Sequence, residues 1–318
     1  MRVLLVRLDG IGDAAVCVPL IAALRAAGHD VGVALSNRNA GLFDPDALAA
    51  EHVLDRIPWP DHGSTPESTA RASAEIAAMR YEVALIASEE PEAFALAAPV
   101  PQRVGFTTGL ARPLKTLWVR RRTTRTVSRS QRAAGDDAHE AEVIYRLGAG
   151  LVGDPRPPVD LERLRAVLLA PRLGEQTARP ASARVVVQAG PKWVATGVAP
   201  HAMRDVFERL ARSARIIAAP GEAAWVREHA GVEPETFSSL RAWVDALAQA
   251  APLVTVDTGA AHVAGMLGTG VVDVFPDAGF EAQVRRWRPW ASPYRALRAS
   301  QVDGGPRSAF IEAITDGF

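Results

Sequence analysis

The sequence predicts an α/β protein made of two Rossmann-like halves, each a parallel sheet covered by helices on both faces. Three observations carry that prediction. Short, nearly all-apolar runs alternate with longer stretches of helical periodicity, the pattern of strands buried on both faces by crossover helices. The alternation runs twice, on either side of a Gly- and Pro-rich stretch with charged residues at 149–183. With 318 residues the chain is long enough for two domains of roughly 100–200 residues each.

In the first half, 3–6 is a doubly apolar run that breaks at Asp9-Gly10-Ile11-Gly12-Asp13 and leads into an Ala/Leu-rich helical pattern over 14–27, closed by Gly28. Further strands are expected at 31–35, 53–57, 83–87 and 103–106, with a helix at 69–79. The stretch 149–183, which holds Gly153-Asp154-Pro155-Arg156-Pro157-Pro158 and Thr177-Ala178-Arg179-Pro180, reads as the linker. In the second half, strands are expected at 184–188, 215–218, 253–256 and 270–275, and helices at 200–212, 222–230, 240–250 and 259–267. A closing helix is expected within 306–318. Ligands of such sheets sit outside the carboxyl ends of the strands, so the expected site is the cleft between the halves.

Composition removes several classes of function. Hydrophobic residues at 48% and charged residues at 23% are those of a globular protein, which disfavours a disordered, collagen-like or coiled-coil chain. The 36 basic and 36 acidic side chains cancel, so the overall basic field of a dedicated nucleic-acid binder is missing. A single cysteine, Cys17, excludes an intramolecular disulfide and a multi-cysteine zinc site, and a reducing cytoplasm is the expected compartment. The apolar run at 3–6 is too short for a signal-peptide core, and no stretch reaches the roughly 18 apolar residues of a membrane span.

Gly10 and Gly12 partly match a dinucleotide fingerprint, but Ala15 stands at the third glycine position, which makes an NAD dehydrogenase a poor fit. Asp13 falls near a helix N-terminus at the end of the first strand, either as a functional carboxylate or as a first-turn helix residue. At the junction Val256-Asp257-Thr258-Gly259-Ala260-Ala261-His262, Asp257 or Thr258 can cap a helix while the N–H groups of 258–261 form an anion site. The plainer reading is a capped core helix with a buried His262. Lys192 follows Gly190-Pro191 and is one of only two lysines in a chain that otherwise uses Arg; it can reach a diphosphate as a point charge, or it is a solvated side chain. Glu222, at a helix start after Pro220-Gly221, is placed either to accept from ribose hydroxyls or to complement the helix dipole. Finally, 93–135 contains no acidic residue and nine basic ones, Arg103, Arg112, Lys115, Arg120, Arg121, Arg122, Arg125, Arg129 and Arg132. This tract either holds an anionic ligand or is a solvated face.

Five segments together resemble glycosyltransferase family 9, best known for ADP-heptose:lipopolysaccharide heptosyltransferases. They are Arg7-Leu8-Asp9-Gly10-Ile11-Gly12-Asp13, Arg103-Val104-Gly105-Phe106, His139-Glu140 with Leu147-Gly148, Asp257-Thr258-Gly259 with His262, and Arg286-Trp287-Arg288-Pro289-Trp290. Their order and spacing agree over nearly the whole chain. The resemblance implies the GT-B fold, with an acceptor-binding domain at 1–170, a sugar-nucleotide domain at 180–318, and a last helix that crosses back onto the first.

It further implies a cytoplasmic, inverting transferase using neither cofactor nor metal. Asp13 would be the general base, and Lys192 with the N–H groups of 258–261 would stabilise the leaving nucleoside diphosphate. Gly190, Glu222, Ser238, Leu240, Asp257, Thr258, Gly259, Ala260 and His262 would contact the donor, with Glu222 on the ribose. Gly12, Arg120, Arg121 and Arg122 would contact the acceptor. The implied partners are a nucleotide sugar such as ADP-heptose and an anionic saccharide or lipid-linked acceptor, with peripheral contact at the inner membrane and no nucleic acid. The chain departs from the family at Pro276-Asp277-Ala278, where Gly-Pro-Thr is common, and at Ala189-Gly190-Pro191, which lacks a Ser/Thr pair. Other readings are a GT-B transferase with a different donor or a secondary-metabolite or capsule acceptor, and a non-catalytic sugar-nucleotide-binding module.

Overall fold

The structure is a computed structural model that describes residues 1–57, 63–129, 138–170, 184–305 and 308–315. Arg132 and the Thr177-to-Pro180 part of the expected linker lie outside the described residues. The chain divides into two compact units, Met1–Pro158 with Ala166–Leu169, and Val159–Arg165 with Ala170–Phe318.

In the first unit, β1 (Arg2–Val6), β2 (Asp30–Ser36), β3 (Ala50–Leu54), β6 (Val83–Ile86), β7 (Gln102–Thr107) and β8 (Arg125–Ser128) form one parallel sheet in the order β3-β2-β1-β6-β7-β8. A small antiparallel pair, β4 (Arg56–Ile57) and β5 (Gly63–Ser64), stands apart from it. One face carries α3 (Pro66–Met79), α4 (Pro91–Ala97) and α5 (Pro113–Arg120), through Ala72, Ile76, Phe94, Leu96 and Val119 packed on Leu4, Val6 and Ile86. On the other face lie α1 (Ile11–Ala15), α2 (Val18–Ala26) and α6 (Glu140–Tyr145), and Leu20 of α2 and Leu85 of β6 both lie against Gly148.

Two expected elements are corrected here. The helix expected at 14–27 starts earlier and is broken after Ala15, because Pro19 has no N–H to continue the ladder and instead occupies the first turn of a new helix. The strand expected at 53–57 pairs with β2 over Ala50–Leu54, since the polar Glu51 and His52 hide its start. His52 is buried all the same, with Nε2 2.9 Å from the Tyr81 hydroxyl.

The second unit orders β9 (Val186–Gln188), β10 (Arg215–Ile217), β11 (Leu253–Val256), β12 (Val271–Phe275) and β13 (Tyr294–Arg298) as β10-β9-β11-β12-β13, all parallel. One face is covered by α9 (Pro200–Leu210), α10 (Ala223–Ala230) and α14 (Ala309–Thr315). In α9 the apolar positions Met203, Val206, Phe207 and Leu210 recur at helical spacing and are buried, while Arg204, Asp205, Glu208 and Arg209 lie outside that stripe. Phe310, Ile311 and Ile314 place α14 in this same core beside Trp193. Elsewhere in this unit, α12 (Gly259–Leu267) packs against α7 (Leu161–Arg165), α11 (Leu240–Ala248), β11 and β12, and α13 (Phe280–Trp287) lies against β12. Although α7 lies within the expected linker, it belongs to this unit: Arg165 donates to the Leu267 carbonyl at 2.6 Å.

Candidate active site

In a parallel sheet with helices on both faces, adjacent connections diverge where strand order reverses, and the carboxyl ends of the two strands there border a crevice. In the first sheet that point lies between β1 and β6. Asp9 and Asp13 follow β1, and Ser88 follows β6. Arg7, 5% exposed, is the hub. It donates to the Ala87 carbonyl at 2.5 Å, its Nε lies 3.1 Å from Asp9 Oδ2, and its Nη2 pairs with Asp13 Oδ1. Burial lowers the Arg7 pKa, but the nearby Asp9, Asp13 and Glu140 carboxylates more than offset this and hold it above its ordinary value. Asp9 is itself fixed by the Ser88 hydroxyl at 2.6 Å, while the second Asp13 oxygen accepts from the Gly10 N–H at 3.3 Å.

Asp13 therefore sits in the first turn of α1 with both oxygens oriented and about a third of its side chain exposed. Gly12 is buried beside it. Cys17, also buried, has its thiol pushed up to about 12 by burial, with Arg7 opposing, so it stays a thiol at neutral pH.

Part of the basic tract is engaged within the unit. Lys115 pairs with Glu89, and Arg129 bridges Glu89 at 3.3 Å and the fully buried Glu140 at 2.8 Å. Arg103 donates to the carbonyls of Arg122 and Val100. Arg120, Arg121 and Arg122, which the resemblance assigns to the acceptor, are not brought to Asp13 within the first sheet. They end α5, which runs back toward the amino edge of the sheet where β8 begins, whereas Asp13 follows the carboxyl end of β1. The strands between those edges are four to six residues long, on the order of 15 Å.

In the second sheet the reversal lies between β9 and β11. Gly190 and Lys192 follow β9, and Asp257 and Thr258 follow β11. Thr258 is the N-cap of α12, but its hydroxyl meets Thr255 Oγ1 at 3.0 Å instead of capping. The N–H of Ala261 bonds back to the Thr258 carbonyl, which narrows the expected 258–261 amide set; no partner is seen among the described residues for those of Thr258, Gly259 and Ala260. The buried His262 ring lies 3.5 Å from Asp257 Oδ1 and tilts against Trp287 at 5.7 Å. Lys192 is exposed at the start of a four-residue helix, α8 (Lys192–Ala195), with no ion-pair partner among the described residues.

Gly190 and Glu222 are brought together: a Cβ on Gly190 would stand 2.5 Å from Glu222 Oε2, so a side chain there would displace that carboxylate. Burial raises the Glu222 pKa. Ser238 is exposed next to Ser239, whose hydroxyl caps α11 through the Ala242 N–H at 3.3 Å, and Leu240 opens that helix. Asp277, in the loop that departs from the family pattern, accepts from the Ser300 hydroxyl at 2.9 Å.

Three residues were not assigned a role from sequence. Arg7 had a local signal, a charge directly after a buried strand with acids two and six positions on. Trp243 had none: its indole N–H reaches Gln188 Oε1 at 3.0 Å across 55 residues, beside Gly190 and Lys192. Asp273 lies mid-strand in β12, fully buried, with neither carboxyl oxygen partnered among the described residues. Burial, then the nearby Asp257, raises its pKa well above the ordinary carboxylate value, and Lys192 only partly opposes this.

No protein-family model and no curated protein matches this sequence. Solved structures do match. E. coli heptosyltransferase WaaC with ADP-2-deoxy-2-fluoro heptose is 20% identical, with a TM-score of 0.69 over 98% of this chain and 99% of that one. A glycosyltransferase family 9 protein from Veillonella parvula is 14% identical, with a TM-score of 0.64 over 93% and 85%. E. coli ADP-heptose lps heptosyltransferase II is 13% identical, with a TM-score of 0.62 over 93% and 90%. The chain thus has the GT-B fold of these glycosyltransferases, as its resemblance to family 9 implies.

Proposed function

We propose that the protein is an inverting glycosyltransferase that moves a sugar, heptose from ADP-heptose, to a hydroxyl of an anionic saccharide acceptor. The observation that carries this reading is the oriented, partly exposed Asp13 held on a buried arginine at the switch point of the first sheet. Asp13 takes the acceptor hydroxyl proton, the acceptor oxygen bonds to the anomeric carbon from the face opposite the leaving group, and the bond from that carbon to the phosphate oxygen breaks. The electron pair leaves with the nucleoside diphosphate.

Arg7 suits Asp13 to this work. One guanidinium is shared by two carboxylates, so the cluster of Arg7, Asp9 and Asp13 carries one net negative charge before proton transfer and none after it. Protonating Asp13 leaves Arg7 still paired with Asp9, so the step does not strand a buried cation.

The donor falls to the second unit. Its sheet presents an unpaired Lys192 and the amides of Thr258, Gly259 and Ala260 at a helix start, and oriented donors of this kind stabilise charge developing on a leaving diphosphate. Glu222 would accept from the ribose, Asp257 and His262 would contact the sugar or diphosphate, and Ser238 and Leu240 would approach the base. The charge stabilisation comes from the protein, so the reaction is proposed to need no metal.

Purified protein incubated with ADP-heptose and a Kdo-bearing acceptor should give a mass gain of one heptose on the acceptor, undiminished by EDTA. A thermal-shift comparison of ADP, UDP, GDP and dTDP tests the donor. Selective stabilisation by a nucleotide other than ADP would reassign it, and the altered loop at Pro276-Asp277-Ala278 is where such a difference would arise.

A further inference from the structure

Gln188, the last residue of β9, is held from two sides by indoles. Its main-chain carbonyl accepts from Trp193 Nε1 at 2.8 Å, and its side-chain Oε1 accepts from Trp243 Nε1 at 3.0 Å. Trp193 is fully buried, edge-on to Phe207 at 5.1 Å and to Phe310 at 6.4 Å, so the first of these bonds belongs to the core. The second does not: Trp243 and Gln188 are both half-buried, and their bond joins separate elements. Helix α11 leads into the amino end of β11, so its first turn, with Trp243, stands at the carboxyl edge of the sheet where β9 ends.

The indole also decides which way the Gln188 amide faces. An indole N–H can only donate, so the atom it meets is the amide oxygen, and the amide nitrogen is turned the other way. There Nε2 donates to the Ala189 carbonyl at 3.4 Å. A trans peptide points its carbonyl and the next N–H to opposite sides, so holding the Ala189 carbonyl fixes the direction of the Gly190 N–H. Gly190 is buried, yet that N–H has no acceptor among the described residues. Buried main-chain donors are nearly always paired. One that is oriented but unpaired, beside Lys192, is a place for an acceptor that comes from outside the protein.

We propose that Trp243 and Gln188 are positioning residues: without touching the ligand, they aim the Gly190 N–H at a phosphate of the nucleotide. This rests on the nucleotide-binding reading given above and adds to it the relay from α11 through Gln188 to the loop. The ligand class follows from the chemistry of the two donors. A main-chain N–H without an acceptor, next to an ammonium without an ion-pair partner among the described residues, suits phosphate oxygens that take both at once.

Titration calorimetry with ADP, or with whichever of UDP, GDP and dTDP the parent binds, tests this together with nuclear magnetic resonance of the full chain isotopically labelled at glycine nitrogen. In the parent the nucleotide should move the Gly190 amide proton downfield. W243F keeps an aromatic ring but has no N–H. It should melt within about 3 °C of the parent, bind the nucleotide about three- to tenfold more weakly and lose the downfield shift. Q188M removes both links and should do the same, and W243F/Q188M should bind no more weakly than either single variant, since a relay is broken only once. A purely structural bond would change melting and leave the response of the Gly190 signal intact. Binding by W243F equal to that of the parent, a Gly190 amide that bound nucleotide does not shift, or penalties that multiply in the double variant would overturn the proposal and leave the nucleotide reading standing. A parent that binds none of these nucleotides would remove both.

Discussion

The two switch points are built on opposite electrostatic plans. At the first, the charges around the strand ends are paired: Arg7 is locked between Asp9 and Asp13, and Glu89 between Lys115 and Arg129. In the second, among the described residues, Lys192 has no ion-pair partner and the first amides of α12 have no acceptor, Glu222 is raised in pKa, and Asp273 is buried without a hydrogen bond. A base must be aimed before its substrate arrives, and internal ion pairs do the aiming. A binding site for a highly charged ligand works the other way, keeping its cation and dipoles uncommitted until the ligand supplies the counter-charge.

The largest effect that would break this contrast is on turnover. Asp13→Asn keeps the shape of the side chain but cannot accept the proton, so transfer should fall by about a thousandfold or more while calorimetry shows nearly unchanged ADP binding. Retained activity would remove Asp13 from the role of base.

Next in size is Arg7→Met. It leaves Asp9 and Asp13 facing each other without their shared cation, and because both carboxylates are about a third exposed the loss should be near the low end for a broken buried pair, about 3 kcal/mol by denaturant unfolding. Lys192→Ala should do the reverse. An exposed side chain without a partner gives unchanged stability, but ADP should bind about 10- to 100-fold more weakly, which titration calorimetry reads directly.

The smallest effect concerns Asp273. Its folded pKa is raised above the ordinary 3.8, so the folded state holds a proton that the unfolded chain releases. Its contribution is therefore fully present below about pH 4 and is lost as pH rises toward the folded pKa, which makes Asp273 a net burden at neutral pH. Asp273→Asn should flatten that part of the stability profile and gain about 1 kcal/mol at pH 7, measured by urea unfolding across pH.

Legibility from sequence tracked how fully an element is buried. The strand at 253–256 and the helix at 259–267 agree with β11 and α12 residue for residue, because each is almost wholly apolar and buried and the helix is closed by Gly268 in a left-handed conformation. The polar edge strands β8, Arg-Thr-Val-Ser, and β13, Tyr-Arg-Ala-Leu-Arg, carried no apolar run and were not expected. Edge strands have one paired neighbour and a solvent side, so their composition does not announce them.

The same limit applied to the candidate site. Asp13, Lys192, Thr258 and Glu222 could be picked out because each stands at a strand-to-helix junction, and the junctions themselves are local features. The distance of Arg120–Arg122 from Asp13 was not legible, because a count of charges along the chain does not say which end of a sheet a helix returns to.

What the sequence determined by itself was therefore the local grammar: two runs of alternating strands and helices, the turns that join them, and the residues at those turns. Local propensity, glycine and proline act over a few residues, and so they are readable there. Only the tertiary structure decided the strand orders, and with them which turns become switch points. It also paired Glu222 with Gly190, brought Trp243 to Gln188 and left Asp273 without a partner. Each of those outcomes depends on long-range parallel pairing and packing, where residues tens of positions apart compete for the same buried volume.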